Sequence, residues 1–211
     1  KHMQDTFTIT DEGELSHFLG IAIRRSSDDG AFELSQTTYI DELIARLGLS
    51  PGKGAKSPEK AGTKSKLRPR LDLTPDEVEF MSTVPYRQAV GGLFYIARAT
   101  RWEISHACGQ VARFMAAPAP QHWHAVLRIY SYLSRTRTVP LRLKTAVHWK
   151  DFTSGNVTGL SDADWAGCLE TRRSFTGWLV RFGGAPVAWY SRRQGPTAQS
   201  SAEAEYYAAC Q

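Results

Sequence analysis

The chain is poor in everything that would hold it together covalently or anchor it in a bilayer. Its 211 residues contain three cysteines, Cys108, Cys168 and Cys210. An odd number, widely spaced and without metal-ligand spacing, excludes a disulfide scaffold and a zinc ribbon. The thiols are expected to be buried or idle in a reducing compartment. No apolar run approaches the roughly 20 residues of a membrane-spanning helix, so no membrane contact is expected. No N-terminal signal pattern is visible, and Lys1-His-Met3 reads as a cloning remnant. No internal repeat is present. Hydrophobic content of 42 % and charged content of 22 % are ordinary for a globular chain. The length suffices for one large or two small domains.

Acidic residues are scarce in one stretch where basic ones crowd. Lys53, Lys56, Lys60, Lys64, Lys66, Arg68 and Arg70 stand against the single Glu59, a local charge of +6 that exceeds the +5 of the whole chain. The same stretch is rich in Gly, Pro and Ser and has no apolar period, so residues 53–73 read as an extended basic linker. Such a linker either keeps a solvated loop soluble or neutralises the phosphates of a nucleic-acid duplex.

Hydrophobic periodicity gives an α+β fold. Phe7–Ile9, Phe18–Arg24 and Ala31–Ser35 read as strands, the last two joined by a turn at Asp28-Asp-Gly30. Thr37 or Thr38 can cap a helix whose stripe is Tyr39, Ile40, Leu43, Ile44 and Leu47, with Gly48 as its stop. Thr74-Pro-Asp-Glu77 is a capping-box pattern with proline in the first turn. Three longer helices follow at about 85–98, 101–116 and 120–134, the last with Trp123, Val126, Leu127, Tyr130 and Leu133 on one stripe. Gly91-Gly92 inside the first of them implies close backbone packing. Beyond Pro140 the pattern turns to strands at Leu141–Lys144, Val157–Ser161, Phe175–Phe182 and Val187–Arg192. Gly183-Gly184 suits a hairpin turn, and a final helix follows Ser200-Ser201.

The segment Leu160-Ser-Asp-Ala-Asp-Trp-Ala-Gly167 and the later Ser200-Ser-Ala-Glu-Ala-Glu-Tyr-Tyr-Ala-Ala209 carry the chemistry. They place two carboxylates at a strand end and two in the first turns of a helix. Carboxylates converging from separate elements suit Mg²⁺ or Mn²⁺ and metal-assisted phosphodiester hydrolysis. Alternate strand residues share a face, so Asp162 and Asp164 point the same way and either can hold metal. Glu203 and Glu205 lie about 200° apart around the helix and cannot both face one ion. Arg172-Arg173 and Arg192-Arg193 are candidate phosphate contacts or exposed charges. Trp165, Trp178 and Trp189 read as packing residues rather than base-stacking platforms.

From about Phe7 to its end the chain resembles the C-terminal part of a Ty1/copia-type retrotransposon polyprotein. Gly13-Glu-Leu-Ser-His-Phe-Leu-Gly-Ile-Ala-Ile23 and Leu34-Ser-Gln-Thr-Thr-Tyr-Ile40 resemble the last palm hairpin and thumb entry of its reverse transcriptase. Pro85-Tyr-Arg-Gln-Ala-Val-Gly-Gly-Leu-Phe-Tyr-Ile96, Ala99-Thr-Arg101 and His122-Trp123 resemble the connection helices. The Asp162 and Glu205 segments resemble the RNase H core. The resemblance implies four regions: the palm end and thumb helix (1–52), the linker (53–73), a helical connection (74–139) and the first part of an RNase H-like domain (140–211). That last part is a sheet bearing a helix.

The resemblance selects Asp162 and Glu205 as the catalytic and metal-holding acids, with Asp164 as a neighbour that can bind outer-shell water. It implies that Glu203 serves the helix N-terminus beneath Ser200 and Ser201. It also implies an RNA–DNA hybrid or DNA duplex as partner and a cytoplasmic setting with nuclear access. The family's further RNase H acids and its polymerase aspartates have no counterpart in the 211 residues. The fragment alone is therefore expected to bind Mg²⁺ or Mn²⁺ weakly and to lack full activity. An open sheet edge is expected to pair with the rest of the polyprotein or another chain. The alternative is a repurposed, non-catalytic nucleic-acid-binding or protein-interaction module.

Overall fold

A computed structural model of the chain describes residues 8, 13–52, 54–59, 67–144 and 156–211. The expected strand at Phe7–Ile9, apart from Thr8, and the linker residues Lys53, Lys60, Lys64 and Lys66 lie outside the described residues.

Four short strands, β1 (His17–Phe18), β2 (Ile21–Arg25), β3 (Phe32–Ser35) and β4 (Leu141–Leu143), form an antiparallel sheet in that order. The expected single strand Phe18–Arg24 is broken by a turn at Leu19-Gly20, with φ of 48° and 75°. Leucine is a poor residue for that conformation. Its carbonyl is held by the Tyr95 hydroxyl, a contact from a distant helix. The strand at Leu141 belongs to this first sheet and not to the C-terminal one. Leu34 pairs with Leu141 and Phe32 with Leu143. Arg142 lies 3.0 Å from Asp29 and 3.4 Å from Glu33. The Lys144 ammonium, then the Ala31 N–H and the Arg142 charge, hold the Asp29 carboxyl down at about 2.

The helical body comprises α1 (Thr37–Arg46), α2 (Pro75–Thr83), α3 (Tyr86–Ala99), α4 (Ser105–Ala112) and α5 (Pro120–Thr136). Helix α1 is not capped by a threonine. Its N-cap is Gln36, without a side-chain cap bond, and the Thr37 hydroxyl instead donates to Arg137 O at 2.8 Å. Thr74 and Glu77 form the capping box of α2, with Pro75 in its first turn. The helix expected at 101–116 is a 3₁₀ turn, Trp102–Ile104, followed by the shorter α4. One core unites these helices: Ile40 and Leu43 of α1, Val90, Leu93 and Ile96 of α3, Cys108 and Val111 of α4, and Trp123, Val126, Tyr130 and Leu133 of α5. Gly92 is the close-packing position, because a Cβ there would stand 2.3 Å from Leu43 Cδ2. Gly91 has nothing within 4 Å and is not.

A three-stranded antiparallel sheet, β5 (Val157–Asp164), β6 (Phe175–Phe182) and β7 (Ala185–Arg193), follows in the order β5-β6-β7. Gly183 and Gly184, with φ of 55° and 90°, make the two-residue hairpin turn that the sequence predicted. Helix α6 (Ser201–Ala209) packs on β5 and β6 and buries Ala204 and Ala208. The fold is thus α+β, with a helix on the second sheet as expected.

Candidate metal and nucleic-acid site

The two faces of the C-terminal sheet are identified by their hydrogen bonds and ring contacts. Phe175 of β6 meets His106 of α4 edge to face, with ring centroids 5.3 Å apart. Trp189 Nε1 donates to Ala97 O of α3 at 2.7 Å. This face therefore looks onto the helical body. On the other face, the buried Gln194 amide donates to Thr176 Oγ1 and to Ala204 O, both at 2.9 Å, and so ties α6 to the sheet. Register pairs Asp164 with Phe175 and Asp162 with Gly177. By strand alternation both aspartates belong to the face toward the helical body.

The two aspartates have different surroundings. A Cβ on Gly167 would meet Asp164 Oδ2 at 2.1 Å and Phe175 Cδ2 at 3.2 Å. The glycine of the Asp-Trp-Ala-Gly run thus gives the Asp164 carboxylate its place against the β5–β6 loop. Asp164 also acts on His106. Burial disfavours the His106 cation, but the Glu59 hydrogen bond and charge and the Asp164 charge outweigh it, and the ring's pKa is raised. Asp162 lines a cleft of about 330 Å³ between the sheet and the Trp102–His106 segment. Both aspartates are exposed, and Asp162 is the one that lines the cleft.

On α6, Glu203 does what its position implied. Ser200 Oγ accepts from Glu203 N at 3.1 Å, and Glu203 Oε2 accepts from Gln199 N at 2.7 Å. Glu205 is exposed, on the helix that covers the opposite face from Asp162. The oxygen donors suit a hard divalent ion. The number of ligands does not complete a site: among the described residues no group of three or more His, Cys, Asp or Glu side chains could hold a metal.

The arginines gather at the same end of the sheet. Arg193 pairs with Phe175 and Arg192 with Thr176, while Arg173 O accepts from Cys168 N at 3.0 Å within the loop that leads into β6. Arg172 closes that loop at φ 55°, its N–H donating to Cys168 O at 2.8 Å. Arg192 lies 5.6 Å from the Tyr190 ring centroid, and Tyr190 stacks on Trp178. Arg193 Nη1 donates to Cys168 Sγ at 3.7 Å. Burial alone would raise the Cys168 thiol. Hydrogen bonds from Thr171, Arg193 and the loop backbone bring it down to about 7. None of the four arginines forms an ion pair with a described residue.

The described part of the basic linker differs from the extended chain that composition suggested. Ala55 N donates to Ser131 Oγ at 2.9 Å, Glu59 binds His106 Nδ1 at 2.7 Å, and Arg68 O accepts from His122 Nε2 at 2.9 Å. Arg70 is neutralised by Glu77 at 2.6 Å and Asp72 at 3.5 Å, which removes it from the set of free cations. Lys56 has no ion pair among the described residues. No sequence signal announced the docking at Glu59 and Arg68, since His106 and His122 are distant in the chain.

Comparison with known proteins places these observations in a lineage. The chain is 34 % identical over 207 residues to a retrovirus-related Pol polyprotein from transposon TNT 1-94 of Nicotiana tabacum, covering 98 % of this chain and 15 % of that protein. It is 35 % identical over 208 residues to the Pol polyprotein from transposon RE1 of Arabidopsis thaliana, covering 97 % and 13 %. A secreted RxLR effector protein, 161, of Plasmopara viticola is 40 % identical over 128 residues, covering 61 % of this chain and 86 % of that protein. The chain therefore spans only a small part of the two Pol polyproteins. No family model and no solved structure matches.

Proposed function

We infer that this chain, which belongs to the family of copia-type retrotransposon Pol polyproteins, is the segment where the reverse transcriptase ends and an RNase H domain begins. It engages an RNA–DNA hybrid through its phosphates, and within the polyprotein it contributes Asp162 to cleavage of the RNA strand. The observation that carries this reading is the gathering of Arg172, Arg173, Arg192 and Arg193, without acidic partners among the described residues, at the sheet end that bears Asp162 and Asp164. Guanidinium groups bind phosphate oxygens bidentately. Arg193 shares the face of the two aspartates, Arg192 stands on the opposite face, and Arg172 and Arg173 sit in the loop at the same sheet end. The cluster would hold a polyanionic backbone at that end rather than let the acids repel it. Mg²⁺ or Mn²⁺, when bound, would supply the Lewis acid and the activated water that hydrolysis needs.

Hybrid binding followed against salt by fluorescence anisotropy tests the first half. The salt slope should fall by about 2 in an Arg172→Gln/Arg192→Gln variant. An unchanged slope removes the arginines from the interface. For the second half, Asp162→Asn in the Pol polyprotein should abolish metal-dependent RNA cleavage, while Asp164→Asn should leave part of it.

A second reading rests on the RxLR effector similarity, because this chain covers 86 % of that protein. The stretch that the match covers would then serve as a stand-alone binding module without catalysis. In it β5, an edge of its sheet among the described residues, is a strand at which another chain would pair. Phosphate-independent capture of a protein partner, with no hybrid binding, favours that reading.

A further inference from the structure

Gly177 occupies the middle of the central strand of a three-stranded sheet, between Asp162 on one neighbour and Ser191 on the other. Glycine is the poorest residue for that place, worth up to about 1 kcal/mol less than a β-branched residue. Nothing in the fold demands it: its φ is not in the left-handed region, and a Cβ there would meet no atom within 4 Å. The missing side chain leaves open part of the wall of the cleft of about 330 Å³ beside Asp162, which Trp102, His106, Trp189 and Ser191 also line.

That cleft has the character of a site for a flat aromatic ligand. Its volume lies at the lower end of the roughly 300–1,000 Å³ of small-ligand pockets. Trp102 is 44 % exposed, although a tryptophan free to pack would be covered. Two indole walls offer faces for stacking. Asp162, Ser191 and Ser105 offer polar atoms at the edge. Asp162, without an ion pair among the described residues, disfavours phosphate in the interior, whereas Glu103 is paired with Arg101 at 2.7 Å and the arginine cluster sits outside, at the end of the sheet.

We propose that this cleft, opened by Gly177 and walled by Trp102 and Trp189, takes one unpaired nucleobase of a strand whose phosphates run over Arg172, Arg173, Arg192 and Arg193. The inference rests on the nucleic-acid reading above and adds to it a preference for a single-stranded or frayed nucleotide next to Asp162. The base stacks on indole, and its exocyclic amine or ring N–H donates to the oxygens at the rim. Base stacking tolerates any sequence, so the site selects for an unpaired base rather than for its identity.

Two variants test it against a labelled single-stranded oligonucleotide and the matching duplex. Gly177→Val narrows the cleft at a position where an added Cβ meets no atom within 4 Å, and it suits a central strand. Trp102→Ala removes a wall at an exposed position. Each should weaken single-strand binding about tenfold, the effect of losing one stacked base. Each should leave the salt slope and the duplex affinity unchanged, and Trp102→Phe should restore most of the loss. Titration with the single strand should quench tryptophan fluorescence in the wild type and less in Trp102→Ala. Wild-type single-strand affinity in a folded Gly177→Val protein overturns the proposal. A lost duplex interaction in the Arg172→Gln/Arg192→Gln variant with intact tryptophan quenching separates the two readings, since it leaves the cleft standing and alters only the phosphate path. Equal losses for single strand and duplex in both cleft variants also overturn it.

Discussion

The helical body and the C-terminal sheet bury side chains of different size. In the body, Leu43, Leu93, Ile96, Ile129, Tyr130 and Leu133 are almost wholly buried, and Tyr130 also donates to Ala89 O at 2.8 Å. In the region from β5 to α6 the buried apolar set is Ala166, Cys168, Phe175, Ala185, Ala198, Ala204 and Ala208, while Val157, Leu160, Phe182 and Val187 are exposed. Area removed from water stabilises the first region, at about 25 cal/mol per Å². The second relies on close approach through alanine and on buried polar ties such as Gln194 to Thr176 and Ala204. A site on the sheet therefore leans on the body it faces, through Phe175, Trp189 and the 2.9 Å ion pair Arg113–Glu170.

Truncation gives the largest expected contrast. Leu93→Ala should cost about 2–5 kcal/mol of unfolding free energy in a denaturant titration, from lost transfer energy and the cavity left behind. Ala204→Gly, at an equally buried position of α6, should cost about 1 kcal/mol. Comparable losses would break the contrast and make the sheet a core in its own right. In native-state hydrogen exchange, β5 amides should open at lower free energy than those of α3 and α5.

The glycines sharpen the contrast at smaller magnitude. Gly92→Ala pushes a methyl group into Leu43 and should cost about 1–3 kcal/mol. Gly91→Ala, one residue away with open space around it, should stabilise α3 by up to about 1 kcal/mol. Thermal midpoints that move the same way for both would show that the packing of α3 against α1 is looser than the contact at Leu43 implies.

What could be read from the sequence follows the range of the interaction that decides it. The capping box at Thr74 and Glu77, the hairpin at Gly183-Gly184 and the stripe of α5 were legible, because each is settled within a few residues. The turn at Leu19-Gly20 was not, since Tyr95 holds it. Nor was the pairing of β4 with β3, which depends on Arg142 finding Asp29 across more than a hundred residues. Within the candidate site, alternation alone put Asp162 and Asp164 on one face. The sequence did not show that Gly167 receives the Asp164 carboxylate, that His106 sits under the same face, or that α6 covers the opposite one. Those are products of tertiary packing and carry no local signature.

His106 is where the two regions meet, and with His122 it anchors the linker by opposite protonation states. His122 is fully buried against Phe114, its ring centroid 3.8 Å away. Its Nδ1 accepts from Ala119 N and its Nε2–H donates to Arg68 O, an arrangement that needs the neutral ring. Burial, together with the Arg113 charge, lowers its pKa despite the Arg68 carbonyl. Its contribution is therefore present above the unfolded value of about 6.5 and is lost as pH falls through the lowered folded value. For His106 the folded pKa is raised, so its contribution with Glu59 and Asp164 is complete below the unfolded value and disappears as pH rises through the folded one. Acidification should free the Arg68 end of the linker while the Glu59 end holds, and alkalinisation should do the reverse. NMR titration of the two imidazoles should show His122 titrating below, and His106 above, a model histidine. Limited proteolysis should cut near Arg68 faster at the acidic end of the range. His122→Gln should make that cutting independent of pH. A His106 that titrates below the model value would mean that desolvation outweighs Glu59 and Asp164, and charge coupling between the sheet region and the helical body would then rest on the Arg113–Glu170 pair.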